Sequence, residues 1–361
     1  MAVDRSEWGV VSTVAAGAGP RGFFAVVYAT FRRAEQAAGN AAEHFYSIGG
    51  HTIRLRFAGP ALAPFISPAL EHLAEQPNRA SELDVCLWDS VSTGVEMPPP
   101  PWSTDDYVAR GEVRGYNDER IRTVFQLGPG ILNMIDLARN AALFWIRDAT
   151  AVPYYESGAP LRTILHWWMP AHGCHLVHAA AVGTPGGGVL LAGKGGTGKS
   201  TTALACLSSP LLYAGDDYVL VSAAPYPFVH SLYNSAKLDA DHLQRLPHLR
   251  PLISNAGRLD REKALIYLYR HRADQLTTGF PIRAILLPQV TGQPHTTLHE
   301  ASPAASLAAL APSTIFQLPG AGREAFEQLA ELVRQVPSYT LELGTELSQI
   351  PEVVLALLTE A

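Results

Sequence analysis

Residues 187–207 read GGVLLAGKGGTGKSTTALACL. Within them Gly193, Lys194, Gly195, Gly196, Thr197, Gly198, Lys199 and Ser200 fit the pattern GxxxxGK[ST]. An apolar run of strand length (GVLLA) leads in, and a helix-like segment that begins KSTTAL leads out. That context separates a phosphate-binding loop from an ordinary Gly-rich turn. Each residue type has a physical purpose. Glycines let the backbone close around phosphates with its N–H groups pointing inward. The following helix adds the positive end of its dipole. Lys199 offers a point charge to the outer phosphates, the Ser200 hydroxyl can ligate a divalent cation, and Thr201 continues the first helical turn over the same site. ATP and Mg²⁺ are therefore the expected small molecules.

Outward from the loop the chain reads as an α/β unit. CHLVHAAAV (174–182) and GGVLLA (187–192) are strand-like runs separated by the turn GTPG. Downstream, LLYAG (211–215) and YVLVS (218–222) predict two further strands, with Asp216 and Asp217 between them. FVHSLY (228–233), IRAILLP (282–288) and SYTLEL (338–343) read as strands, residues 320–335 as a helix, and Pro351 as the start of a terminal helix. Neighbours on a regular strand point to opposite faces. At a strand start the backbone can instead turn both carboxylates toward one site.

The segment 174–222 resembles the HPr kinase/phosphorylase superfamily, whose core is related to phosphoenolpyruvate carboxykinase. The resemblance lies in a strand His, a turn, strand–loop–helix and then an Asp-Asp pair. His178 stands 15 residues before Gly193 and Asp216 stands 23 after it. The implied fold is a P-loop kinase domain of that type over residues 156–361, preceded by a mixed α+β domain over 1–155 that would recognise substrate. Two departures stand out. Thr201 replaces the Glu that usually follows the loop, and the Gly-rich signature of the reverse, phosphorylase reaction is not visible. The loop also resembles that of the MinD and ParA ATPases, with Lys194 in the place of their extra lysine. Their aspartates end an apolar strand, however, whereas this pair precedes one, and no DxxPG-like segment follows.

What the first resemblance implies is ATP-dependent transfer of the γ-phosphate to a hydroxyl. The acceptor would be a serine of a protein or of a ribosomally made precursor peptide. Asp216 would take the proton and Asp217 would join Ser200 on the metal, an order of roles that can be exchanged. His178 would support an aspartate or the transferring phosphoryl group. The same His also fits an ordinary core residue of LVHAAAV, as Asp-Asp after Gly215 also fits a capped turn. Arg258 and Lys263 could bind phosphate or an acidic substrate, and Arg261, Glu262 and Lys263 could equally form a solvated helical face. His172 and His175 lack a set of metal partners. The alternatives are a small-molecule hydroxyl kinase, a MinD/ParA-like switch ATPase and a nucleotide-binding regulator without turnover. Classical relatives form hexamers, so a homo-oligomer is compatible with the resemblance.

Composition narrows the rest. The chain has 361 residues, 27 Lys+Arg against 33 Asp+Glu, a net charge of −6, and 47% hydrophobic residues against 17% charged. That is ample for a core and argues against a non-specific nucleic-acid binder. No run reaches the ~18–20 apolar residues that span a bilayer. The opening MAVDRSEWGVV lacks the pattern of a secretory signal. Three scattered cysteines suit buried thiols in a reducing cytoplasm. In the first half, FFAVVYAT (23–30), TIRLRF (52–57), DVCLW (84–88) and AALFWIRD (141–148) read as strands. Residues 60–75 and 159–169 read as helices, and Pro98–Pro101 form a stiff connector.

Overall fold

In the computed structural model, residues 19–39, 41–77 and 79–360 are described. The opening stretch read above for a targeting signal lies outside them. Two compact units form, and they interleave along the sequence. One holds the described residues up to Phe45, with Thr52–Phe65 and Arg79–Val152. The other holds Tyr46–His51, residues 66–77 and the chain from Pro153.

In the first unit, alternation builds the sheet. His51–Ala58 buries Ile53, Leu55 and Phe57 and leaves Arg54 and Arg56 half-buried, the period of two that TIRLRF carries. It lies parallel to Leu83–Asp89, which lies parallel to Ala141–Ile146. Ile131–Asp136 and Ile121–Gln126 follow antiparallel. FFAVVYAT is not a strand, as its composition suggested, but part of the helix Pro20–Ala37. A continuous apolar run does not distinguish a buried helix from a buried strand. Pro20 at the first turn and the buried set Phe23, Phe24, Val27, Phe31 and Ala34 decide for helix. That face packs with Trp88, Leu132, Met134, Leu143 and Trp145. Residues 60–75 depart from the expected single helix. One turn forms at Ala63–Ile66 and a 3₁₀ segment at Ser67–Leu73. Pro68 lacks the N–H that would continue an α-helix.

In the second unit the strands Leu212–Gly215, Ala180–Thr184, Gly187–Leu191, Gly279–Val290, Phe228–His230, Val219–Ser222 and His175–Val177 lie side by side in that order. Ser338–Leu343 extends the other half of Gly279–Val290 in parallel, and Thr297–Ala301 pairs with it. Both faces are covered, which is why these strands read as continuous apolar runs. Ala180, Val182, Val189 and Leu191 face Ala203, Leu204, Ile350 and Val354. Ala181, Leu190 and Ala192 face Leu310, Leu329 and Leu332 from the helices Pro303–Ile315 and Arg323–Gln335. The C-terminal helix spans Gln349–Glu360. The helix expected over 159–169 starts only at Arg162, because Leu161 takes a left-handed conformation (φ 59°) ahead of it. Cys86, Cys174 and Cys206 are all buried and unpaired. No helix among the described residues is long and apolar enough to cross a membrane.

Burial makes this second unit acid-sensitive. His72 and His166 are each pushed down to about 4 by burial, with His175 adding a smaller push on His166. The unfolded chain therefore binds more protons than the folded one between about 6.5 and 4. The stability from keeping each ring neutral is complete above 6.5 and is lost as the pH falls toward 4, about 3 kcal/mol per ring. Denaturant unfolding at pH 7, 5.5 and 4.5 should show this slope, and His166→Gln should flatten it. An unchanged slope would place the acid sensitivity elsewhere.

Candidate functional site

The site forms where two antiparallel runs bend together. His175–Val177 and Ala180–Thr184 are interrupted at His178-Ala179. Leu212–Gly215 and Val219–Ser222 are interrupted at Asp216, Asp217 and Tyr218. Val177 opposes Val219 on one side of the bend and Ala181 opposes Gly215 on the other, so the runs keep one register through it. Tight turns make the corners, with the Ala179 N–H donating to the Val177 carbonyl at 3.0 Å and the Tyr218 N–H to that of Asp216 at 2.9 Å. Asp217 has φ 70°, in the left-handed region that Asp tolerates better than most residues. This turn brings both carboxylates to one place rather than to opposite faces.

The loop meets them there. Gly187–Leu191 runs parallel to Gly279–Val290 and delivers Gly193–Gly198 to the helix Lys199–Ala205. Gly193, Gly196 and Gly198 all have positive φ. Gly198 has φ 105°, where a side chain is strained, and a Cβ there would also displace the Leu343 side chain, whose Cδ1 lies 2.4 Å from its position. The Lys199 ammonium curls over the loop and donates to the carbonyls of Gly193 (2.6 Å) and Lys194 (3.3 Å). Burial lowers its pKa, while Asp216 and Asp217 pull the other way. Lys194 itself is exposed, and Thr197 donates its hydroxyl to the Lys194 carbonyl at 3.0 Å.

The two acids have different surroundings. Ser200 Oγ donates to Asp216 Oδ1 at 3.0 Å, and Asp216 Oδ2 is buried with no partner. Burial, and then the charge of Asp217, raise the Asp216 pKa. Both Asp217 oxygens are engaged. Oδ1 meets His178 Nε2 at 3.1 Å, and Oδ2 accepts from the Lys237 ammonium. Burial would raise the Asp217 carboxyl, but Lys237 and His178 together hold it far below the usual carboxylate range. Two neighbouring acids are thus pushed apart in proton affinity, a common signature of a working site.

Two cavities share these groups. One, of about 100 Å³, lies on the loop against Gly195, Gly196, Gly198, Lys199, Thr201 and His178. The other, of about 280 Å³, is walled by Tyr154, Tyr155, Arg162, Tyr218 and Gln317. Ser200, Asp216, Asp217, Lys237 and Lys263 line both. Of the basic pair singled out in the sequence, Lys263 is therefore at the site and also pairs with Asp239 at 2.9 Å. Arg258, the last residue of the 3₁₀ segment Ala256–Arg258, lines neither cavity and pairs with Glu262 four residues on. His172 stacks on Trp168 (ring centroids 3.6 Å apart) and lines neither cavity.

Lys237, Arg162, Tyr154 and Tyr155 were not found from the sequence. Lys237 sits on Ser235–Leu238, a strand paired with Ala264–Tyr267 in a separate two-stranded ribbon. Its one local signal is the alternation of SAKL, which leaves Lys237 half-buried between Ala236 and Leu238. Arg162 donates to the Tyr155 carbonyl at 3.1 Å, lies over the Tyr155 ring and faces Glu156 at 3.8 Å. No motif announces that group.

No family model matches the chain, and no curated protein matches it. Among solved structures it is similar to the Hpr(Ser) kinase/phosphatase from Coxiella burnetii, at 12% identity over 52% of this chain and 95% of that one, with a TM-score of 0.29. A likeness that remote assigns no function.

Proposed function

We propose that the protein is an ATP-dependent phosphotransferase with a hydroxyl acceptor. The observation that carries the reading is the shared wall. A phosphate loop and a second cavity abut, and the two acids and two lysines stand between them. A donor phosphoryl on the loop would there face an acceptor in the larger cavity, which is the geometry that in-line transfer needs. The loop N–H groups and Lys199 would hold the phosphates, with Thr201 at the helix start.

The residues also fit a divalent cation. The Ser200 hydroxyl adjoins Asp216, whose second oxygen is buried and unpartnered, and an anionic oxygen in that state suits a hard cation. Bound there, Mg²⁺ would offset charge on the phosphates. This favours Asp216 over Asp217 as the metal partner, the exchanged order of roles. Asp217, fixed by His178 and Lys237, is then the group that orients the acceptor hydroxyl and takes its proton. A carboxylate held ionised is a weak base, but in a loose transition state position counts for more than basicity.

For the acceptor we favour the serine of a protein or a ribosomally made precursor peptide, on the sequence resemblance. A small hydroxylated molecule is the second reading, favoured by a cavity near the lower size of small-molecule sites, about 300 Å³. Incubation with γ-labelled ATP and candidate peptides or small alcohols tests both. Label should move to an acceptor with wild type, fail with Asp216→Ala and persist with Lys194→Ala. ATP hydrolysis that needs Lys194 and dimerisation, with no transfer, would replace this reading by the switch ATPase. Nucleotide binding without turnover would leave a regulator.

A further inference from the structure

Lys237 is the more buried of the two lysines of the shared wall. Its side chain is 12% exposed, against 46% for Lys263, whose ammonium is turned to Asp239. It reaches the site from a ribbon outside the main sheet, and the group it holds is Asp217 Oδ2. His178 meets the other oxygen, Oδ1, at 3.1 Å. While Lys237 stays there, each Asp217 oxygen already has a partner, and a hydroxyl must share Oδ2 with the ammonium. A lysine on a four-carbon stem that lines both cavities can reach either partner.

Resting on the phosphotransferase reading, we propose that Lys237 is an exchangeable catalytic cation. It neutralises Asp217 in the ground state and, as the phosphoryl group transfers, shifts to the oxygens of that group and frees Asp217 Oδ2. The acceptor oxygen then bonds to phosphorus as the bond from phosphorus to the ADP oxygen breaks. ADP leaves with that electron pair, and the hydroxyl proton passes to Asp217 Oδ2. One movement thus supplies positive charge where negative charge develops and uncovers the proton acceptor at the same moment.

The exchange separates ground-state from transition-state binding, and the full chain can be tested without a known acceptor. The probes are the magnesium complexes of a non-hydrolysable ATP analogue and of ADP with aluminium fluoride, which mimics the phosphoryl in transfer. With Lys237→Met the analogue should bind within about threefold of wild type, while the fluoride complex should weaken ~100-fold, the range for loss of one transition-state contact. Lys237→Arg, which keeps the charge and the fold, should recover most of that loss. Equal weakening of both probes would show a merely structural lysine and overturn the proposal, as would no weakening of either. If Lys237→Met does not fold, Lys237→Arg decides alone. Analogue binding at wild-type strength with the fluoride complex weakened about threefold to tenfold supports the exchange, and equal weakening of both, or no weakening of either, refutes it. Failure of the wild-type chain to bind either probe would instead refute the phosphotransferase reading beneath it.

Discussion

Lys199→Met should reduce phosphoryl transfer by about 10³-fold while leaving thermal stability unchanged or slightly raised. The ammonium is buried and bonded to two carbonyls of its own loop. Burial already lowers its pKa, so the folded chain carries a desolvated cation at some cost. Methionine fills much the same volume without that cost, and replacing a buried ion by an apolar isostere is often neutral or favourable. Loss of the point charge at the outer phosphates leaves developing charge unopposed, which lies behind the estimate of about 10³. Binding of ATP should weaken as well, by about tenfold or more. A labelled-ATP assay beside a thermal melt checks both halves. A destabilised variant with normal transfer would mean that Lys199 serves the loop's own structure rather than a nucleotide.

The second large effect is a contrast between neighbours. Asp216→Asn should lower transfer ~10³-fold, raise the Mg²⁺ concentration needed for half-maximal rate, and leave the protein more stable. Its carboxyl is raised by burial and then by Asp217, so neutralising it relieves a penalty on the charged form. The amide oxygen can still accept from Ser200. Asp217→Asn should also abolish transfer, yet it should destabilise by about 3 kcal/mol, because it leaves the Lys237 ammonium without its anion. Its Mg²⁺ requirement should stay near that of wild type. The same isosteric change thus has opposite signs on stability at adjacent positions. If the Mg²⁺ requirement moved with Asp217→Asn instead, the metal would belong to Asp217 and the roles would revert.

Much of this was legible in the chain itself. The loop, its strand and its helix follow from spacing and from the sterics of glycine, which act over a few residues. SYTLEL forms its strand over the expected residues, because alternation is a local rule. CHLVHAAAV was read as one strand and is two, since the break at His178 carries no Gly or Pro to mark it. FFAVVYAT reads as a strand yet forms a helix, because burial on a helix and burial in a sheet demand the same residues.

Sequence alone determined that a Gly-rich GxxxxGKS loop stands between a strand and a helix, that two acids follow it and that a histidine precedes it. Only the tertiary structure decided which acid meets Ser200, that Lys237 closes on the other, and that Arg258 stands aside with Glu262. Local conformation is dictated by neighbours in the chain. The partners of these buried charges lie 16 to 39 residues away in the chain, and only the tertiary fold brings them together.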